Sequence, residues 1–144
     1  DTTFIPDDYT FNSDETGLVF TWETESIYRQ STRAYAGFTN IATGKTRIVP
    51  GGKVMYPVIS PDSKSICYVR ENNLYLFNLA SGKETAVTLD GERNKIINGA
   101  VDWVYEEEFT MSKGYEWSPE GDCIAFYRFK GGCFYISCSN RKVG

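Results

Sequence analysis

The chain has 144 residues, 41% of them hydrophobic, which suits one domain or a piece of a larger one and excludes disorder as an overall description. Fifteen Lys plus Arg stand against 19 Asp plus Glu, a net charge of -4 with the basic residues dispersed, so nucleic acid is not an expected partner. Histidine is absent, which removes Ser-His-Asp and Cys-His catalysis and the common His-based zinc sites from anything this chain does alone.

The 10 Tyr, 9 Phe and 3 Trp fall mostly in short segments bordered by turn formers, a pattern that predicts strands. The first predicted unit runs through Leu18-Val19-Phe20-Thr21-Trp22 and Tyr35 to Ile41, and reaches the turn Asn40-Ile41-Ala42-Thr43-Gly44-Lys45. The second opens on Ser60-Pro61-Asp62, runs through Ile66 to Val69 and Leu74 to Phe77, and closes at Asn78-Leu79-Ala80-Ser81-Gly82-Lys83. Glycine at the matching place in the two closing turns supplies the positive φ of a tight hairpin. The third opens on Ser118-Pro119-Glu120-Gly121, 58 positions after the second, continues at Ile124 and is left unfinished. A turn, two apolar strands, a Gly-Lys hairpin and a short onward strand make one propeller blade. At about 40 to 45 residues per blade the chain holds about three, whereas a closed ring needs four or more. The expected fold is therefore all-β, an incomplete propeller arc of antiparallel strands over residues 1–144. A small antiparallel sandwich is the bland alternative. An open arc leaves strand edges and apolar faces uncovered, which predicts self-association or an altered pairing at one end.

The extra length before the third unit centres on Asp102-Trp103-Val104-Tyr105-Glu106-Glu107-Glu108-Phe109. Asp102 is placed to cap a short helix, and Tyr105 and Phe109, four apart, to anchor one face. With that face packed, some of Glu106, Glu107 and Glu108 must project toward solvent or a cavity. An exposed acidic turn is the plain reading. The sharper one is that adjacent carboxylates on a rigid helix hold a primary ammonium by charge-assisted hydrogen bonds, with aromatic neighbours excluding water. Neither zinc nor calcium chemistry matches this donor set, and no metal or cofactor is expected. Cys67, Cys123, Cys133 and Cys138 contain no CxxC pair, and core thiols and a disulfide both stay open. No apolar run reaches the roughly 20 residues that span a bilayer. Asp1 in place of an initiator methionine reads as the start of a processed or excised chain.

The acidic-aromatic segment, followed by Tyr115-Glu116-Trp117-Ser118-Pro119-Glu120-Gly121, resembles the N-terminal β-propeller region of the dipeptidyl peptidase IV family, of bacterial type, among the prolyl oligopeptidase-type serine peptidases. The resemblance spans nearly the whole chain. It implies a noncatalytic substrate-recognition fragment, inactive alone, whose C-terminal α/β-hydrolase domain, absent here, supplies the catalytic serine. It also implies an exported, periplasmic or cell-surface parent that releases N-terminal dipeptides, with Pro or Ala at the penultimate position. By the same resemblance Glu107 and Glu108 receive the free amino terminus of a peptide substrate and Glu106 supports the helix. Within Ile27-Tyr28-Arg29-Gln30-Ser31, Arg29 reaches the carbonyl region of the bound peptide; the plain reading of Arg29 is an exposed strand arginine. Trp103, Tyr105, Tyr115 and Trp117 serve as packing supports. The alternative function is a propeller-derived binding or scaffold module without peptidase activity. After Phe129 the chain departs from the family pattern. The tail from Lys130 reads as divergence, a boundary artefact or an altered reading frame, with a strand at Cys133-Phe134-Tyr135-Ile136.

Overall fold

In a computed structural model, the description covers residues 4–109, 111–131 and 133–140; the side chains of Trp103, Phe109 and Phe134 lie outside it. Three antiparallel sheets follow one another along the chain and, among the described residues, do not close into a ring. The first contains β1 (Asp8–Phe11), β2 (Gly17–Ser26), β3 (Thr32–Asn40) and β4 (Thr46–Ile48), paired in sequence order. The second contains β5 (Met55–Ile59), β6 (Ser65–Arg70), β7 (Asn73–Asn78) and β8 (Glu84–Ala86), paired in the same way. In the third, β9 (Ile96–Asn98) and β10 (Tyr115–Trp117) share one edge of β11 (Cys123–Lys130), whose other edge pairs with β12 (Cys133–Asn140). Within the tail after Phe129, Cys133–Asn140 is therefore a paired strand, and the third sheet lacks an outer fourth rank among the described residues.

The turns repeat as chemistry. The Ser60 N–H donates to the Ser65 carbonyl at 2.8 Å, and the Ser118 N–H to the Cys123 carbonyl at 2.8 Å. Each serine hydroxyl also bonds a nearby aspartate, Asp62 or Asp122, at 2.6 Å. The first sheet has the same turn without proline: the Asn12 N–H donates to the Gly17 carbonyl at 3.0 Å. In the two closing turns Gly44 and Gly82 adopt φ of 70° and 71° and donate to the Asn40 and Asn78 carbonyls.

The middle sheet is covered on both sides, and β6 shows how one strand serves both. Side chains alternate along a strand. Ile66 and Tyr68 enter a core with Val19, Ala36 and Phe38 of the first sheet, whereas Cys67 and Val69 enter a second core with Tyr115, Ile124 and Phe126 of the third. All four are fully buried, which is why the strand reads as an unbroken apolar run. Across the second interface the Tyr115 hydroxyl donates to the Cys67 carbonyl at 2.9 Å and the Trp117 indole N–H to the Val58 carbonyl at 3.2 Å. Burial pushes both the Cys67 thiol and the Tyr115 phenol well above their ordinary values. All four cysteines are free; Cys67 is the core thiol, and Cys133 and Cys138 are exposed.

Matching the Asn12 turn to Ser60 makes Leu18 and Phe20 the counterparts of Ile66 and Tyr68. They line an open apolar groove of about 450 Å³ with Phe4, Trp22 and Ile48. Among the described residues no further sheet lies on that face; Phe4 packs edge-on against Phe20 and Trp22 there.

Candidate functional site

The third sheet carries the acidic segment as an excursion from its first strand. Gly99 leaves the sheet after donating to the Tyr127 carbonyl at 2.9 Å; Gly114 returns, and its carbonyl accepts from the Tyr127 N–H at 2.8 Å. The neck closes through the Gly114 N–H on the Gly99 carbonyl at 2.9 Å and an antiparallel bridge between Ala100 and Lys113. Both glycines are required by space. Gly99 has φ of 76°, and a Cβ there would stand 2.6 Å from Leu74 Cδ2; a Cβ at Gly114 would meet Ala100 backbone at 3.0 Å.

Within the excursion α1 spans Trp103–Phe109. Asp102 caps it: its Oδ1 accepts from the Tyr105 N–H at 3.0 Å, and its carbonyl accepts from the Glu106 N–H at 3.1 Å. The Tyr105 ring packs on Phe129 of β11, with centroids 5.1 Å apart. That contact fixes the rotation of the helix. Successive residues diverge by about 100°, so three consecutive glutamates cannot share an environment. Glu106 turns inward and is 1% exposed, while Glu107 and Glu108 are exposed.

The inward carboxylate binds the loop between β2 and β3. Glu106 Oε1 accepts from the Gln30 N–H at 2.5 Å and the Ser31 N–H at 2.8 Å; Oε2 accepts from the Ser31 hydroxyl at 2.9 Å. Glu106 thus supports more than its own helix, for it ties two segments 75 and 76 residues apart. Immediately before this anchored backbone stands Arg29, whose Nη1 lies 3.6 Å from Glu107 Oε2. With the two side chains 72% and 41% exposed, this pair adds little stability, and its content is placement. Among the described residues Glu108 makes no ion pair.

Beneath the loop lies Tyr56, in the irregular pairing of β5 with β6 and at φ 52°, a backbone region unusual for a bulky residue. Its carbonyl accepts from the Tyr115 hydroxyl, and its own hydroxyl lies beside Ser112 and Ser31. Burial raises the Tyr56 phenol above its ordinary value; the charge of Glu106 adds to this, and the two serines oppose it. One residue from each sheet region, Ser31, Tyr56 and Glu106, therefore meets under the helix.

Alongside opens a cavity of about 1290 Å³ whose wall includes Tyr28, Ser31, Asp102 and Tyr105. Among the described residues the helix contributes Tyr105 to this wall, and Glu107 and Glu108 stand outside it with Arg29. The basic residues of the wall are largely committed to local partners. Glu25 holds both Arg33 and Lys53, whose hydrogen bonds keep its carboxyl below the usual range, and Glu84 takes both Arg70 terminal nitrogens at 2.9 and 2.7 Å. Two exposed carboxylates against one guanidinium leave the loop-helix corner net negative, a corner suited to a cation.

The residues singled out in the sequence thus divide. Arg29 and Glu107 are brought together, Glu108 lies beside them in the chain, and Glu106 and Tyr105 lie underneath; the Trp103 side chain falls outside the described residues. Ser31, Tyr56 and Ser112 were not foreseen. Ser31 lies two residues after Arg29, but nothing in the sequence around Tyr56 marks it.

Comparison with known proteins matches residues 12–131 to the dipeptidyl peptidase IV N-terminal region. The chain is 40% identical over 116 residues to a probable dipeptidyl-aminopeptidase B of Penicillium rubens, covering 77% of this chain and 13% of that protein. It is 34% identical over 128 residues to dipeptidyl peptidase 4 of Trichophyton rubrum, covering 85% of this chain and 16% of that protein. The crystal structure of Porphyromonas gingivalis dipeptidyl peptidase 4 superposes with a TM-score of 0.81 at 35% identity, over 87% of this chain and 18% of that one. The chain therefore spans less than a fifth of the length of these relatives. With residues 12–131 of the chain matched to that region and three blade-like sheets in order, the chain belongs to the dipeptidyl peptidase IV N-terminal region family.

Proposed function

We propose that this region is the amine-anchoring part of an exported serine dipeptidyl peptidase, acting with a hydrolase domain carried elsewhere in the same polypeptide. Glu107 and Glu108 hold the free ammonium of a peptide, and Arg29 offers its donor fork to a backbone carbonyl of that peptide. Anchoring the terminus sets how far the peptide reaches, so that the bond after the second residue meets a remote nucleophile. Proline or alanine at that second residue belongs to the same reading. The observation that supports it most is the 3.6 Å approach of Arg29 to Glu107 across two segments distant in sequence, with Glu108 left for a ligand.

The test is acetylation of the substrate's amine. Acetylation removes the charge and enlarges the group, so a full-length protein carrying this region should cleave an N-acetylated peptide at least about 100-fold less efficiently than its free-amine counterpart. Equal rates on the two peptides would reject the anchor.

A further inference from the structure

We propose that Glu106 is the positioning residue of this corner: its carboxylate locks the Gln30–Ser31 backbone and thereby holds Arg29 against Glu107. The inference rests on the amine-anchor reading and adds a residue that does not itself touch the peptide.

The geometry carries it. A surface arginine has many rotamers and an exposed ion pair does little to select among them. What limits Arg29 is its backbone, and the two residues after it donate three hydrogen bonds to one buried carboxylate at 2.5, 2.8 and 2.9 Å. Further support comes from within the loop, where the Ile27 N–H donates to the Ser31 carbonyl at 2.9 Å, so Ser31 is held on both sides. Glu106 and Glu107 are adjacent on one short helix capped by Asp102 and seated on Phe129. Fixing the loop to Glu106 therefore fixes it relative to Glu107 at the same time. Tyr56, beside Ser31, adds a third element to the joint. Gln at position 106 is close in size and can keep both N–H bonds on its carbonyl while its amide donates to the Ser31 hydroxyl, so what the substitution removes is the charge that strengthens all three bonds.

The test compares Glu106→Gln, Arg29→Ala and the double variant in a full-length protein carrying this region, assayed on a free-amine Gly-Pro anilide. Glu106→Gln is expected to raise KM about 10-fold or more while kcat changes less than about threefold, because binding geometry is lost and the chemistry is not. A merely structural role would reduce the fraction of working enzyme, lowering kcat and leaving KM in place. In the Arg29→Ala background, adding Glu106→Gln should have little further effect, since its route through Arg29 is gone. An unchanged KM in Glu106→Gln, or an effect that persists in full without Arg29, would overturn the proposal. Ser31→Ala, which removes one of the three bonds, serves if Glu106→Gln does not fold, with a KM rise of about two- to fivefold expected and no rise counting against the proposal. Glu107→Gln separates the two readings: if it too leaves KM and kcat/KM unchanged, the amine anchor itself fails, whereas a loss there with none in Glu106→Gln and Ser31→Ala removes only the positioning role.

Discussion

Replacing Glu107 by Gln in a full-length protein that carries this region should lower kcat/KM for free-amine peptides by roughly 2- to 30-fold, and Glu108→Gln should act in the same direction. Gln keeps nearly the same volume and one carbonyl acceptor but loses the charge. A hydrogen bond to a charged group contributes about 1.5 to 3 kcal/mol, against about 1 for a neutral pair. The difference should appear in binding and in the reach of the peptide, so kcat/KM is the quantity to measure. Thermal stability should hardly move, because the Arg29–Glu107 pair is exposed and separated by 3.6 Å. An N-acetylated peptide, having no ammonium, should be insensitive to the same substitution. A Glu107→Gln protein as active as the wild type on free-amine peptides would count against the assignment.

The second large effect lies in the core that carries the site. Leu74→Ala should destabilise the protein by about 3 kcal/mol, read as a lowered denaturation midpoint. Leu74 is fully buried between the second and third sheets, and its Cδ2 lies where a side chain on Gly99 would begin. The truncation therefore leaves a void at the neck from which the acidic excursion departs, and Val69 and Ile124, in the same core, are fixed by strand pairing and cannot collapse freely into it. A loss below about 1 kcal/mol would mean that the neck repacks easily and the helix is not rigidly held.

Much of the fold was legible because the turns are chemical repeats. Ser60-Pro61-Asp62 and Ser118-Pro119-Glu120 mark the same backbone event, and Gly44 and Gly82 mark another. The Asn12 turn escaped because its backbone bonds recur without proline. The strands β4 and β8, three residues each, are too short to display alternation and exist through pairing with β3 and β7. The split first strand of the third sheet was hidden for another reason: β9 and β10 are separated in sequence by the excursion and joined only by their common partner β11.

At the loop-helix corner the sequence names Arg29, Glu106, Glu107 and Glu108 as candidates but not the contacts that join them. Asp102 announced a cap from local sequence; of the spaced aromatic pair, Tyr105 packs on Phe129, and the Phe109 side chain lies outside the described residues. Three identical glutamates carry no phase of their own. Which one turns inward is decided by Tyr105 meeting Phe129 and by donors at Gln30 and Ser31, contacts that close only in three dimensions. Tyr56 is the clearest case, since its φ of 52° and its place beside Ser31 belong to the irregularity in β5.

The most direct measurement is a crystal structure of the full-length protein with a free-amine peptide bound. The peptide's terminal nitrogen is expected about 3 Å from carboxylate oxygens of both Glu107 and Glu108, with the Arg29 guanidinium on a peptide carbonyl. A peptide whose amino terminus lies elsewhere, with both carboxylates still turned to bulk water, would contradict the account.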